Sequence, residues 1–123
     1  MMCSVKSHTL LGLLVVPFIV ACGSGGSGGT VACTMGSGTG KTCVEYGLPS
    51  DTSAEAIQGQ RDACVAAGGV ASAACPHVGA DGACRVTTTA SGVSRTVTTW
   101  VYAGNAANEK AACTSNGQSW ITP

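Results

Sequence analysis

Hydrophobic and polar positions divide this chain into two unlike parts. Residues 10–21 form an apolar run of a dozen, LLGLLVVPFIVA, and nothing after it is comparably apolar. Beyond it the pattern breaks into short segments. CRVTTTA (84–90) and VSRTVTTWVY (93–102) are rich in β-branched residues and are separated by Ser91-Gly92, which predicts a hairpin. A two-residue turn there sets Val86 opposite Val97 and Cys84 opposite Thr99, on one face with Val93 and Val101. Trp100 and Tyr102 then face the other way. Residues 31–47 suit a pair of short strands around a Gly-rich turn at 36–40, with Cys33 roughly opposite Cys43.

Two segments carry helical signals instead. Thr52-Ser53-Ala54-Glu55 is a capping-box sequence; Ile57, Cys64 and Val65 fall on one face of the helix it starts, and Gly68-Gly69 ends it. A second helix fits 106–115, with Asn105 as cap, Cys113 near its end and Gly117 as stop. PHVGADGA (76–83) is turn chemistry between two cysteines, preceded by a short strand, and Ser119-Trp120-Ile121 suits a last strand. Cys64 and Cys113 each have Gly four residues later, and Tyr46 and Tyr102 each precede a helix, which suggests a weak strand–helix–strand repeat. The expected fold class is therefore α+β, two short helices on an antiparallel sheet, with an all-β fold as the competing reading.

Composition explains how so small a domain would hold together. Past the first two dozen residues Ala, Gly, Ser and Thr dominate, and they bury little area each. Eight cysteines offset this, and Cys33, Cys43, Cys64, Cys75, Cys84 and Cys113 form an even set in the body, as expected of a disulfide framework in an oxidising compartment. Each helix cysteine is expected to pair with a strand or loop cysteine rather than with the other: Cys84 suits one of them and Cys43 the other. Alternatively, Cys33 with Cys43 and Cys75 with Cys84 close their own loops.

The N-terminus reads as an address. Lys6 precedes an apolar run too short to span a bilayer, as in a signal peptide covering 1–21. Ile19-Val20-Ala21-Cys22 resembles the lipobox of bacterial lipoprotein precursors. The resemblance implies cleavage after Ala21 and lipidation of Cys22, so that the membrane is a partner through the anchor. Gly23 follows the cysteine where Asp would imply inner-membrane retention, which leans the location toward the outer membrane. Residues 22–30 then form the lipidated cysteine and a Gly/Ser tether reaching on the order of 15 Å, and 31–123 the stapled domain. The body also resembles small cysteine-rich lipoproteins of myxobacterial type, through its helix-Cys-x-x-x-Gly units and Cys75-Pro76. That likeness implies no activity.

The remaining motifs carry little chemistry. Gly36-Ser37-Gly38-Thr39-Gly40-Lys41-Thr42 is one residue short of a P-loop, but the sequence after Thr42 reads as strand, which offers no helix N-terminus to phosphate, so no nucleotide is expected. Six Lys and Arg balance six Asp and Glu, leaving no basic field for nucleic acid. The cysteine gaps are wide and His77 is the one histidine beyond the signal, a pattern that suits neither a metal nor any other cofactor. The acids are scattered singly and His77 lacks an evident orienting partner, so the domain reads as non-catalytic. The rings of Trp100, Tyr102, Tyr46 and Trp120 read as core before ligand platform, in a domain with so little apolar bulk, and Trp100 and Tyr102 are the candidate binding surface under the second reading. The expectation is an envelope lipoprotein presenting a small binding or structural module to an envelope or extracellular partner. The alternative is an inhibitor that offers loop 76–83 to an exported hydrolase.

Overall fold

In a computed structural model that describes residues 29–123, the chain runs β1 (Thr30–Met35), β2 (Thr42–Gly47), α1 (Ala54–Ala66), β3 (Val70–Ser72), β4 (Ala80–Ala90), β5 (Val93–Tyr102), α2 (Ala106–Ser115) and β6 (Ser119–Ile121). The expected signal peptide, Cys22 and nearly all of the expected tether lie outside the described residues. The six strands form one sheet in the order β3-β1-β2-β5-β4-β6, every neighbouring pair antiparallel. With two helices and three disulfides, this is the small α+β disulfide-rich domain that the sequence predicts.

The β4–β5 hairpin forms in the predicted register, Val86 opposite Val97 and Cys84 opposite Thr99. Its turn is the two residues Ser91 and Gly92, at φ 52° and 76°, a pair of left-handed conformations whose twist matches that of the strands it joins.

Both helices end alike. Gly68 and Gly117 take φ of 82° and 70°, and the next residues, Gly69 and Gln118, donate N–H to the carbonyls of Cys64 and Cys113 at 2.9 and 3.1 Å. This closure requires a left-handed residue four positions after the cysteine, which explains the Cys-x-x-x-Gly spacing. The start of α1 lies one residue later than the capping box implies: Ser53, not Thr52, accepts the N–H of Ala56. Asn105 caps α2 without a side-chain bond to the helix, because its Nδ2 donates to the Thr39 and Tyr102 carbonyls.

The repeat is larger than strand–helix–strand. β1-β2-α1-β3 and β4-β5-α2-β6 are the same ββαβ unit, each with its third strand outermost and its second innermost, joined where β2 meets β5. One row across the sheet reads Ala71, Cys33, Val44, Thr99, Cys84, Trp120, and its two halves correspond. By that count Tyr46 corresponds to Val101, so the sequence match of Tyr46 with Tyr102 is out by one residue.

Side-chain alternation sends this row to the helix face, where Cys33 bridges to Cys64 and Cys84 to Cys113. In each helix the buried residue is that cysteine. Val65, expected on the apolar face of α1, is 60% exposed. The helices are thus held chiefly by their bridges. The buried cluster is on the opposite face: Ala32, Cys43, Cys75, Ala83, Trp100 and Tyr102, with Ala80 and Ile121 against it.

Candidate binding face

The face that carries Trp100 and Tyr102 is closed by the connection between β3 and β4, residues 73–79. Cys75 is bridged to Cys43 on β2, and its backbone N–H donates to Glu45 Oε1 at 2.7 Å. The Tyr102 hydroxyl donates to the Pro76 carbonyl at 2.7 Å, and the His77 ring stacks on Trp100 with centroids 4.1 Å apart. His77 Nε2 lies 3.8 Å from the same Glu45 oxygen. Burial, and secondarily the charge of Glu45, raises the Tyr102 phenol above its ordinary range.

These ties correct several expectations. Trp100 and Tyr102, the candidate binding surface, are 3% and 4% exposed and belong to the core, because the loop lies over them. Cys43 does not pair with a helix cysteine. It stands opposite Thr34, not Cys33, and a one-residue offset in a strand turns a side chain to the other face. Cys75 does not pair with Cys84, and loop 76–83 is shorter than its turn chemistry suggests, since Ala80–Ala83 already belong to β4. The loop ends in a turn closed by Ala80 N–H to the His77 carbonyl at 3.0 Å, with Val78 at its tip.

The helix face is open where the other is closed. α1 packs on β1 and β3, and α2 on β4, β5 and β6, so the floor between them at the β2–β5 junction is only half-covered. Beside α1 lies a cleft of about 260 Å³ lined by Met35, Val44, Tyr46, Gln60, Ala63 and Ala67, with the Cys33–Cys64 bridge at its base. Beside α2 lies one of about 220 Å³ lined by Thr99, Val101, Glu109, Ala112, Asn116 and Trp120, with the Cys84–Cys113 bridge at its base. Gln60, Ala63 and Ala67 correspond in the repeat to Glu109, Ala112 and Asn116, and Val44 and Tyr46 to Thr99 and Val101. The clefts are the same site in duplicate, both lined mainly by apolar groups, and they differ in that the second also holds a charged residue, Glu109.

Each cleft contains a half-buried ring, Tyr46 in the first and Trp120 in the second. The sequence groups these two with Trp100 and Tyr102 and gives no means of separating them. What separates them is the face each strand position takes in the assembled sheet, Tyr46 through the pairing of β2 with β5 and Trp120 through that of β6 with β4, contacts between residues more than thirty positions apart.

The other candidates are placed as follows. The Gly-rich stretch before Lys41 contains a 3-10 turn, Gly38–Gly40, and Thr42 begins β2, so the P-loop fragment leads into a strand. Lys41 Nζ lies 4.4 Å from the centre of the Tyr102 ring. Glu45 and Asp81, two of the singly scattered acids, are structural: Glu45 holds the loop, and Asp81 Oδ2 accepts the Gly104 N–H at 2.6 Å in the turn before α2. Among the described residues no group of three or more His, Cys, Asp or Glu is placed to hold a metal ion. No family model, curated protein or solved structure matches this chain.

Proposed function

We propose that this chain is a cell-envelope lipoprotein, anchored through lipid on Cys22 and placed toward the outer membrane, whose stapled domain is a non-catalytic binding module working through its helix face. The observation that supports this is the pair of open clefts, each built over a disulfide and each holding one aromatic ring. Rings held half-exposed on a rigid support give contact area at little entropic cost. His77 and Glu45, the one imidazole among the described residues and the acid nearest to it, are engaged in holding the loop.

Two measurements test the reading. Cys22→Ala shifts the protein from the membrane pellet to the soluble fraction, since the near-neutral body has no other means of holding lipid. Residues 31–123 capture an envelope component, and Tyr46→Ala with Trp120→Ala abolishes capture while Val78→Ser leaves it. Retention of Cys22→Ala in the membrane overturns the anchor, and capture indifferent to the two rings overturns the binding face.

One observation favours an inhibitor of an exported hydrolase instead: Val78 is 93% exposed at the tip of a loop tied down by a disulfide. Against it stands the closed turn from His77 to Ala80, where a substrate-like segment is extended. Inhibition of an envelope peptidase that is lost in Val78→Asp would support this second reading.

A further inference from the structure

The two clefts differ in chemistry where they correspond in position, and that difference describes a ligand. The α1 cleft offers Met35, Val44, Tyr46 and two alanines, surroundings for an aliphatic or aromatic side chain. The α2 cleft sets Glu109, Asn116 and Thr99 among Val101, Ala112 and the Trp120 ring. Glu109 has no salt-bridge partner among the described residues, and the α1 position that corresponds to it is the neutral Gln60. A carboxylate and an indole lining one cleft are groups that attract a cation, by charge and through the face of the ring.

The spacing between the clefts follows from the sheet. Their floors hold Cys33 on β1 and Cys84 on β4, in one row and three strand intervals apart, or about 14 Å. An extended chain advances about 3.4 Å per residue, so about four residues bridge that distance. Val44 and Thr99, paired across the β2–β5 junction and half-covered, line the inner walls of the two clefts and join them.

We propose that the helix face binds an extended peptide segment lying across the strands, with an apolar side chain in the α1 cleft and a lysine or arginine four residues away in the α2 cleft. This rests on the reading of the helix face as the binding face. Charge complementarity selects the occupant: the one charged residue lining either cleft is Glu109, in the first turn of α2 and without a salt-bridge partner among the described residues, and a basic side chain is its complement.

The test uses the oxidised domain and synthetic, end-blocked peptides in which Leu and Lys are separated by Gly/Ser spacers of one to six residues. Binding is followed by Trp fluorescence and by amide chemical shifts. The expected optimum is the spacer of three, which puts the two side chains four residues apart, with shifts at Tyr46 and Trp120. Glu109→Gln weakens binding about five-fold, and Lys→Gln in the peptide weakens it by the same factor with no further loss in the Glu109→Gln protein. Both Glu109→Gln and Tyr46→Leu leave the fold intact by circular dichroism, since neither residue is buried.

Binding that ignores spacer length, or that is equal in wild type and Glu109→Gln, overturns the inference. Shifts at Tyr46 and Trp120 that persist without any role for Glu109 overturn the ligand chemistry alone and leave the binding face standing. Peptide shifts confined to residues 73–79 overturn both.

Discussion

Val44 and Thr99 face each other across the β2–β5 junction and occupy the same place in their respective units, so the domain carries an approximate two-fold axis between them. Each has a helix-pinning cysteine as its other neighbour, Cys33 beside Val44 and Cys84 beside Thr99. The two halves are joined there by the pairing of β2 with β5, while all three disulfides close within residues 33–113 at separations of 31, 32 and 29.

Similar loop lengths predict similar energetic contributions. Removing either helix bridge, as Cys33→Ala with Cys64→Ala or as Cys84→Ala with Cys113→Ala, is expected to cost about 3.5 kcal/mol by loop-closure entropy. Because each helix buries little else, hydrogen exchange should accelerate throughout the released helix and much less in the other. Full reduction should leave the domain mostly unfolded at 37 °C. Thermal melts with and without reductant, and exchange on the paired variants, check this; an unchanged melt after complete reduction would show that packing alone holds the fold.

The Tyr102 hydroxyl ties the loop to the sheet, and Tyr102→Phe should cost about 1 kcal/mol while making residues 73–79 more susceptible to proteolysis. The same substitution has a signature at high pH. The folded phenol titrates above its ordinary pKa of 10.0, so the unfolded chain loses that proton first as pH rises. Tyr102 therefore lowers stability progressively from pH 10.0 upward, through the folded-state value, and has no such effect below that range. Melts of wild type and Tyr102→Phe across the alkaline range should show part of the wild-type loss missing in the variant.

Gly82 is buried where the Trp120 ring crosses β4, and a Cβ added there would run into the indole. Gly82→Ala should destabilise by about 1–3 kcal/mol through overpacking. Trp120→Leu frees the space, so the double variant should lose less than the sum of the two single changes. A double-mutant cycle by chemical denaturation measures this, and strict additivity would show that the two residues do not contact.

Local signals in the sequence were sufficient for the hairpin register, both helices and their glycine stops, the strand after Lys41, and the opposed directions of Val86 and Trp100. Each depends on residues within one hairpin or one helix. Contacts made across the chain were not legible. An error of one residue in the β1–β2 register puts Cys43 on the wrong face and misassigns its bridge, and no local pattern fixes that offset across a loose Gly-rich turn. Nor does any local feature mark Glu45 as the acceptor for a backbone N–H thirty residues later, or separate the cleft rings Tyr46 and Trp120 from the core rings Trp100 and Tyr102.

The opposed faces of Cys33 and Cys43 bear on how the chain becomes oxidised. Synthesis delivers cysteines from the N-terminus, and joining each to the next arrival would give Cys33 with Cys43 and Cys64 with Cys75, whereas the native bridges in this half are interleaved. Only Cys84 with Cys113 joins consecutive arrivals. Once β1 and β2 pair, the sheet itself separates the first two thiols of the domain, because Cys33 looks toward the helix side and Cys43 toward the loop side. A paired β1–β2 hairpin is therefore incompatible with a Cys33–Cys43 bridge, so that formation of this hairpin bars the partner nearest in sequence and keeps both sulfurs for the distant Cys64 and Cys75.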